Sequence, residues 1–290
     1  MGYRPILTFD TSGINCLTDD ADSVALIVGL RAGFHVRLTF TSVSEIIATT
    51  SGERRRTLLG VCRQLLSSGD CIGPQNDLLT KLIVRFEESP APFDWTTVSV
   101  RLPEAEDEIA RQENFTDDLS EEEREFSRVN ERVFVKVYDD AKPHFDKLFA
   151  EGTERIPSSV SELVTQLQTG GAFWTLAANL YSRVARKPAD DSTIRRFAAE
   201  CPPFYALMIA LCAAQYERYV RPPMVSPSLR AGRNDTFVSV CLPYCHQFVT
   251  NDPGQLECFK EVVSIGSLDV TVRSYQEFRD SFFVTAASST

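Results

Sequence analysis

Short apolar runs that alternate with helical patterns constrain this chain more than any other feature. Residues 5–10, PILTFD, read as a short buried strand ending in an acid. Residues 20–33 read as helix, with Val24, Leu26, Ile27, Val28 and Leu30 apolar and Gly33 as the stop. Residues 35–40, HVRLTF, read as a second strand, and the segment from Ser42 to Glu45 opens a helix that Gly52 ends or interrupts. Leu58, Leu59, Val61, Cys62, Leu65 and Leu66 mark the next helix. A short strand around Cys71 and Ile72 and a helix over 77–88 follow. Strand, helix, strand and helix on short connections imply a parallel sheet with crossovers.

Pro90, Pro92 and Pro103 suggest a boundary. From about 104 to 221 the pattern is helical, with strong stretches at 120–136, 159–168, 171–186, 190–199 and 203–220. The last sixty residues return to the opening style. Residues 235–242 read as helix, 247–250 as strand, 253–263 as helix and 268–272 as strand. The expected organisation is a discontinuous α/β core over 1–88 and 225–290, with a helical insertion over 89–224.

Charge separates the same regions. The formal net charge is -10, which argues against a simple basic nucleic-acid coat or a polybasic membrane-surface protein. Residues 86–155 hold 20 acids and 9 bases, and the other 220 residues hold 20 acids and 21 bases. The negative excess thus belongs to the middle segment, including Glu121-Glu122-Glu123, and reads as a solvated helix face. No apolar run approaches the roughly 20 residues that span a bilayer, and the N-terminus lacks a signal-peptide pattern, so the expectation is a cytoplasmic protein with no membrane partner.

The eight cysteines form no C-x-x-C and read as buried thiols. The three histidines, His35, His144 and His246, make a multi-histidine metal centre a poor fit. No G-x-S-x-G, Walker A or G-x-G-x-x-G pattern is present.

Four acids stand out by position: Asp10 after the first strand, Glu45 in the helix after the second, Asp235 in the first turn of a late helix, and Asp252 after the strand that follows. In a parallel sheet the loops after the strands share one edge, and ligands bind there where the strand order turns. Carboxylates gathered on that edge repel unless one takes a proton or a cation joins them. Mg²⁺ or Mn²⁺ suits such an oxygen-only set and can activate water for attack on a phosphoryl group. Each acid also has a local reading. Ser42 to Glu45 matches a capping box, Asp252-Pro253 matches an N-cap with Pro at N1, Asn234 or Asp235 can cap, and Asp10-Thr-Ser-Gly can be a turn.

Taken together, FDTSGIN (9–15), Glu45 and NDTFVSVCLPYCHQFVTND (234–252) resemble the PIN-domain nuclease family. The resemblance covers about 1–88 and 225–290, and the tail VTVRSYQEF (270–278) resembles that family's last edge strand. It implies a three-layer α/β/α sandwich around a central parallel sheet, and metal-dependent phosphodiester hydrolysis, usually of RNA. Asp10, Glu45 and Asp235 would bind the metal, and Asp252 would bind a second metal or orient water. Ser12 and Thr250 would hold the carboxylates. The long stretch between the two halves departs from compact members. Rival folds fit less well: a haloacid-dehalogenase-type phosphatase wants D-x-D where Ser12 stands, and a metal-dependent adhesion site wants serine where Ile14 stands.

For RNA, Arg230 and Arg233 adjoin Asp235, and Arg54 and Arg55 follow Glu45. A further basic cluster comprises Arg183, Arg186, Lys187, Arg195 and Arg196. Trp174, Phe173 and Tyr181 read as core, and His246 as half-exposed at a strand start. The alternative function is a PIN-like scaffold whose insertion meets a protein partner through its acidic face or forms a homo-oligomer. A toxin with an antitoxin partner is a third possibility.

Overall fold

The computed structural model describes residues 4–89, 92–115, 117–122, 125, 156–217 and 233–287; for Arg233 and residues 284–287 it describes backbone alone. The expected helix over 120–136, most of the acidic segment, the prolines at 222–227 and the boundary at 225 fall mainly outside these residues.

A five-stranded sheet forms the centre, made of β1 (Ile6–Phe9), β2 (His35–Thr39), β3 (Asp70–Ile72), β4 (Gln247–Thr250) and β5 (Thr271–Ser274). The spatial order is β3-β2-β1-β4-β5, and every neighbouring pair is parallel. Side chains alternate between the two faces. Leu7, Phe9, Val36, Leu38, Cys71 and Val249 join one hydrophobic cluster, whereas Ile72, Phe248 and Val272 join another. The order turns between β1 and β4, so Asp10 and Asp252 leave adjacent strands at the switch point.

On the first face lie α1 (Thr11–Asp19), α2 (Ser23–Gly33), α3 (Phe40–Ile47), α4 (Gly52–Leu66), α6 (Ala105–Glu113) and α13 (Tyr275–Ala287). Phe278 of α13 packs edge-on against Phe9 of β1, with ring centroids 5.4 Å apart. On the other face lie α5 (Gln75–Glu88), α7 (Val160–Thr169), α8 (Ala172–Ala185), α9 (Asp191–Glu200), α10 (Pro202–Gln215) and α12 (Pro253–Gly266). Helix α11 (Arg233–Val238) runs into a 3₁₀ segment, Ser239–Tyr244, on that face as well. The architecture is an α/β/α sandwich around a parallel sheet. The insertion helices over 160–215 share one core with β4, β5, α5 and α12, and so build part of a covering layer. Phe173 and Tyr181 are fully buried there, as the helical spacing suggested.

Several local readings change. A helix, α1, starts at Thr11 where the sequence suggested a turn, because the Asp10 side chain caps it and Ile14 and Leu17 bury. Helix α3 starts at Phe40, capped by Thr39. Glu45 therefore lies in the second turn, and the capping box expected from Ser42 does not form. The residues after Ser274, expected as part of an edge-strand ending, enter α13. Among the described residues no single helix is long and apolar enough to cross a membrane.

Candidate active site

The candidate site builds outward from Asp10, the N-cap of α1, which is only 7% exposed. Its Oδ1 accepts the Gly13 N–H at 2.6 Å, and the Ser12 hydroxyl reaches Oδ2 at 2.8 Å and Oδ1 at 3.0 Å. From β4, the Thr250 hydroxyl donates to Oδ2 at 2.8 Å. Thr250 Oγ1 in turn accepts the Asp252 N–H at 3.0 Å, and Ser12 Oγ accepts the Asn251 N–H at 2.7 Å. These bonds tie the ends of β1 and β4 together. Burial pushes the Asp10 carboxyl up from 3.8 to about 6 although the Gly13, Ser12 and Thr250 donors pull the other way. Such an acid is mostly charged near neutral pH and takes a proton as pH falls through about 6.

Close approach makes this corner depend on glycine. A Cβ on Gly13 would stand 2.9 Å from the Val249 carbonyl oxygen and 3.1 Å from Asp10 Oδ1. The missing side chain lets α1 press against β4 and lets the Gly13 N–H reach the carboxylate.

Glu45 projects from α3 and is held on both oxygens. The Thr11 hydroxyl donates to Oε2, and Asn234 Nδ2 donates to Oε1 at 2.8 Å. Thr11 is the residue after Asp10, and Asn234 the residue before Asp235, so Glu45 lies between the starts of α1 and α11.

Asp235 and Asp252 meet through one residue, Gln255. Asp252 caps α12 and accepts the Gln255 N–H at 2.8 Å, while Gln255 Nε2 donates to Asp235 Oδ1 at 3.0 Å. The expected cap at Asp252 with Pro253 at N1 is present. Burial pushes the Cys258 thiol up to about 12, and the charges of Asp235, Glu217 and Glu261 add to the shift. Glu217, just past α10, thus lies within electrostatic reach of Cys258 on α12.

Asp10, Asp252 and Asp235 and both hydroxyl residues, Ser12 and Thr250, therefore belong to one run of hydrogen bonds at the switch point, while Glu45 is held separately by Thr11 and Asn234. Thr11, Asn234 and Gln255 were missed, because their roles appear only when separate elements meet. Oxygen donors alone suit a hard divalent cation. In the present arrangement each carboxylate is engaged by protein donors. Among the described residues no three His, Cys, Asp or Glu side chains are placed to hold one ion.

The arginines divide. Arg54 makes a forked pair with Asp19, at 2.5 and 2.8 Å, and reaches Asn15 Oδ1 at 2.7 Å, so it lies along the outer side of α1. Arg55 is fully buried, which corrects the expectation of a nucleic-acid contact. Its guanidinium donates to the carbonyls of Thr49 (2.8 Å), Phe115 (3.3 Å) and Asp117, and lies over the Phe115 ring. Arg233 opens α11 beside Asn234, and Arg230 lies outside the described residues. In the insertion, Lys187 pairs with Glu87 at 2.7 Å, Arg195 pairs with Asp191 and covers Trp174, and Arg196 covers Phe86. His246 Nδ1 accepts the Ile6 N–H at 2.9 Å, which fixes it at the opposite end of the sheet from the acids.

Compared with protein-family models, with curated proteins and with solved structures, the chain finds no match.

Proposed function

We propose that this chain is a PIN-like, Mg²⁺- or Mn²⁺-dependent nuclease that hydrolyses phosphodiester bonds of RNA. One observation carries the reading. Acids after β1, β2 and β4 lie at the same edge of a β3-β2-β1-β4-β5 sheet, and Asp10, Glu45 and Asp235 each take a donor from a different element. An acid used only as a helix cap needs no partner from a distant element, whereas Asp10, Glu45 and Asp235 each have one.

In this reading Asp10, Glu45, Asp235 and Asp252 would hold the cation, which when bound would supply polarisation of the phosphoryl group and a lower pKa for water. Ser12, Gly13 and Thr250 fix both oxygens of Asp10. Thr11 and Asn234 aim Glu45, and Gln255 keeps Asp235 beside Asp252. Arg54 and the arginines preceding Asp235 are the proposed phosphate contacts. The negative excess of 86–155 lies outside this set of acids, so the net charge of -10 overstates how strongly the edge repels RNA.

A second reading is a PIN-like scaffold in which the acids serve the fold. It is favoured by the two caps, Asp10 and Asp252, and by the full engagement of Glu45. Cleavage of a mixed RNA substrate with and without EDTA separates the two, alongside Asp10→Asn and Asp235→Asn. The nuclease reading expects EDTA-sensitive cleavage that both variants lose. Equal residual activity in all three proteins would sink the site assignment.

A further inference from the structure

Two of the chain's three histidines stand at the edge where the strands begin, opposite the acids. His35 opens β2, His246 directly precedes β4, and the start of β1 lies between them. The Ile6 N–H donates to His246 Nδ1 at 2.9 Å, and the His246 N–H donates back to the Ile6 carbonyl at 2.9 Å. A backbone N–H can only donate, so Nδ1 must present a bare lone pair. The imidazole is therefore neutral and carries its proton on Nε2. Protonation would put a second N–H on Nδ1, and two donors would then face each other. His246 is half-buried, so solvent can supply that proton.

His35 responds in the opposite sense. Its Nε2 lies 3.2 Å from Asp70 Oδ2, where a proton makes a charge-assisted bond. Asp70 is already gripped by Arg37, through Nε at 2.6 Å and Nη2 at 2.8 Å. The charges that β2 and β3 bring to this face are thus engaged with one another. Around His246, β1 contributes the apolar Ile6, and α10 carries no charged residue. Asp269, before β5, and Glu257, Lys260 and Glu261 of α12 are exposed. Burial pushes the neighbouring Cys245 thiol up to about 12, so it stays uncharged.

We propose that His246 is an acid-released clip on the start of β1. Neutral, it accepts the Ile6 N–H; protonated, it lets that bond go while His35 tightens on Asp70. Its stabilisation is present at high pH and lost as pH falls, the reverse of the Asp10 contribution. The clip stands apart from the metal-dependent reading.

The test is nuclear magnetic resonance on isotope-labelled full-length wild type, His246→Asn and His246→Leu, at about pH 8 and about pH 5, the range in which histidine ordinarily changes charge. The readouts are the ring tautomer of His246 and the exchange protection of the Ile6 amide, corrected for the intrinsic rate at each pH. Wild type should carry its proton on Nε2 at the higher pH and lose Ile6 protection about fivefold or more at the lower. Asn places a carbonyl oxygen near the Nδ1 position, and that oxygen does not titrate here, so its protection should persist at both pH values. Leu should show low protection at both. All three proteins keep Asp10 and Asp70, so a loss common to them is discounted. The wild-type and Asn pair decides the matter even if the Leu variant fails to fold. A wild-type loss no larger than that of Asn, or a proton on Nδ1 at the higher pH, would overturn the clip.

Discussion

Thr250, at the end of β4, donates its hydroxyl to Asp10, at the end of β1, across the point where the strand order turns. The same oxygen accepts the Asp252 N–H. One side chain thus sets the spacing between two candidate ligand residues. Thr250→Val keeps shape and β-branching but removes both bonds. The expected loss is about tenfold in Mn²⁺ affinity, with destabilisation of about 1–3 kcal/mol. Thr250→Ser should restore most of both. Calorimetry and chemical denaturation read the two effects, and an unchanged Val variant would remove Thr250 from the site.

Asp10 makes the metal-free protein sensitive to pH. Its carboxyl is raised by burial to about 6, against an ordinary value of 3.8. The folded chain therefore holds a proton that the unfolded chain releases between those values. The associated stability is fully present below about pH 4 and lost as pH rises through about 6, a loss of about 3 kcal/mol. Asp10→Asn should remove that dependence. In EDTA, the variant should gain stability over wild type as pH rises from about 4 to 7. Parallel pH profiles of the two proteins would show that Asp10 is not held against its charge.

Arg54 and Arg55 are neighbours with opposite expectations. Arg55→Ala strands the carbonyls of Thr49, Phe115 and Asp117 and empties a fully buried volume. It should destabilise by about 3 kcal/mol or more. Arg54→Ala removes a pair whose side chains are 32% and 63% exposed, so its cost should stay within about 1 kcal/mol. Denaturation of both variants checks the contrast, and equal effects would contradict it.

Gly13→Ala should be disproportionately harmful. The added Cβ meets backbone, the Val249 carbonyl oxygen at 2.9 Å, which cannot swing aside as a side-chain tip can. A cost of about 1–3 kcal/mol is expected, together with weaker Mn²⁺ binding as the Gly13 N–H leaves Asp10. Gly33, with nothing within 4 Å of its Cβ position, provides the control, because Ala there should be neutral or stabilising. Comparable losses at both positions would contradict the close-approach argument.

The sheet was largely legible in the sequence, because β1, β2 and β4 are short apolar runs bounded by acids and turn residues. Their faces then follow from alternation, as with Phe248 and Val249. Helix α1 was not legible. Thr11, Ser12 and Gly13 are poor helix formers, and only the Asp10 cap and the burial of Ile14 and Leu17 decide the matter. Arg55 was misread because consecutive residues on a helix point about 100° apart. A run of three arginines can therefore put one into the core beside two that face outward. The acids could be named from position, but Thr11, Asn234 and Gln255 could not. Their partners lie 34, 189 and 20 residues away, and only the closed fold supplies them.

The central claim, that the acids at the β1/β4 switch point form a divalent-cation site, is tested most directly by crystals grown with Mn²⁺ and measured for anomalous scattering. The expected result is a manganese peak bounded by Asp10, Glu45, Asp235 and Asp252, with Glu45 turned from Asn234 to the ion. Saturating Mn²⁺ with no peak at that edge, and the carboxylates still bonded to Thr250, Asn234 and Gln255, would contradict the metal site.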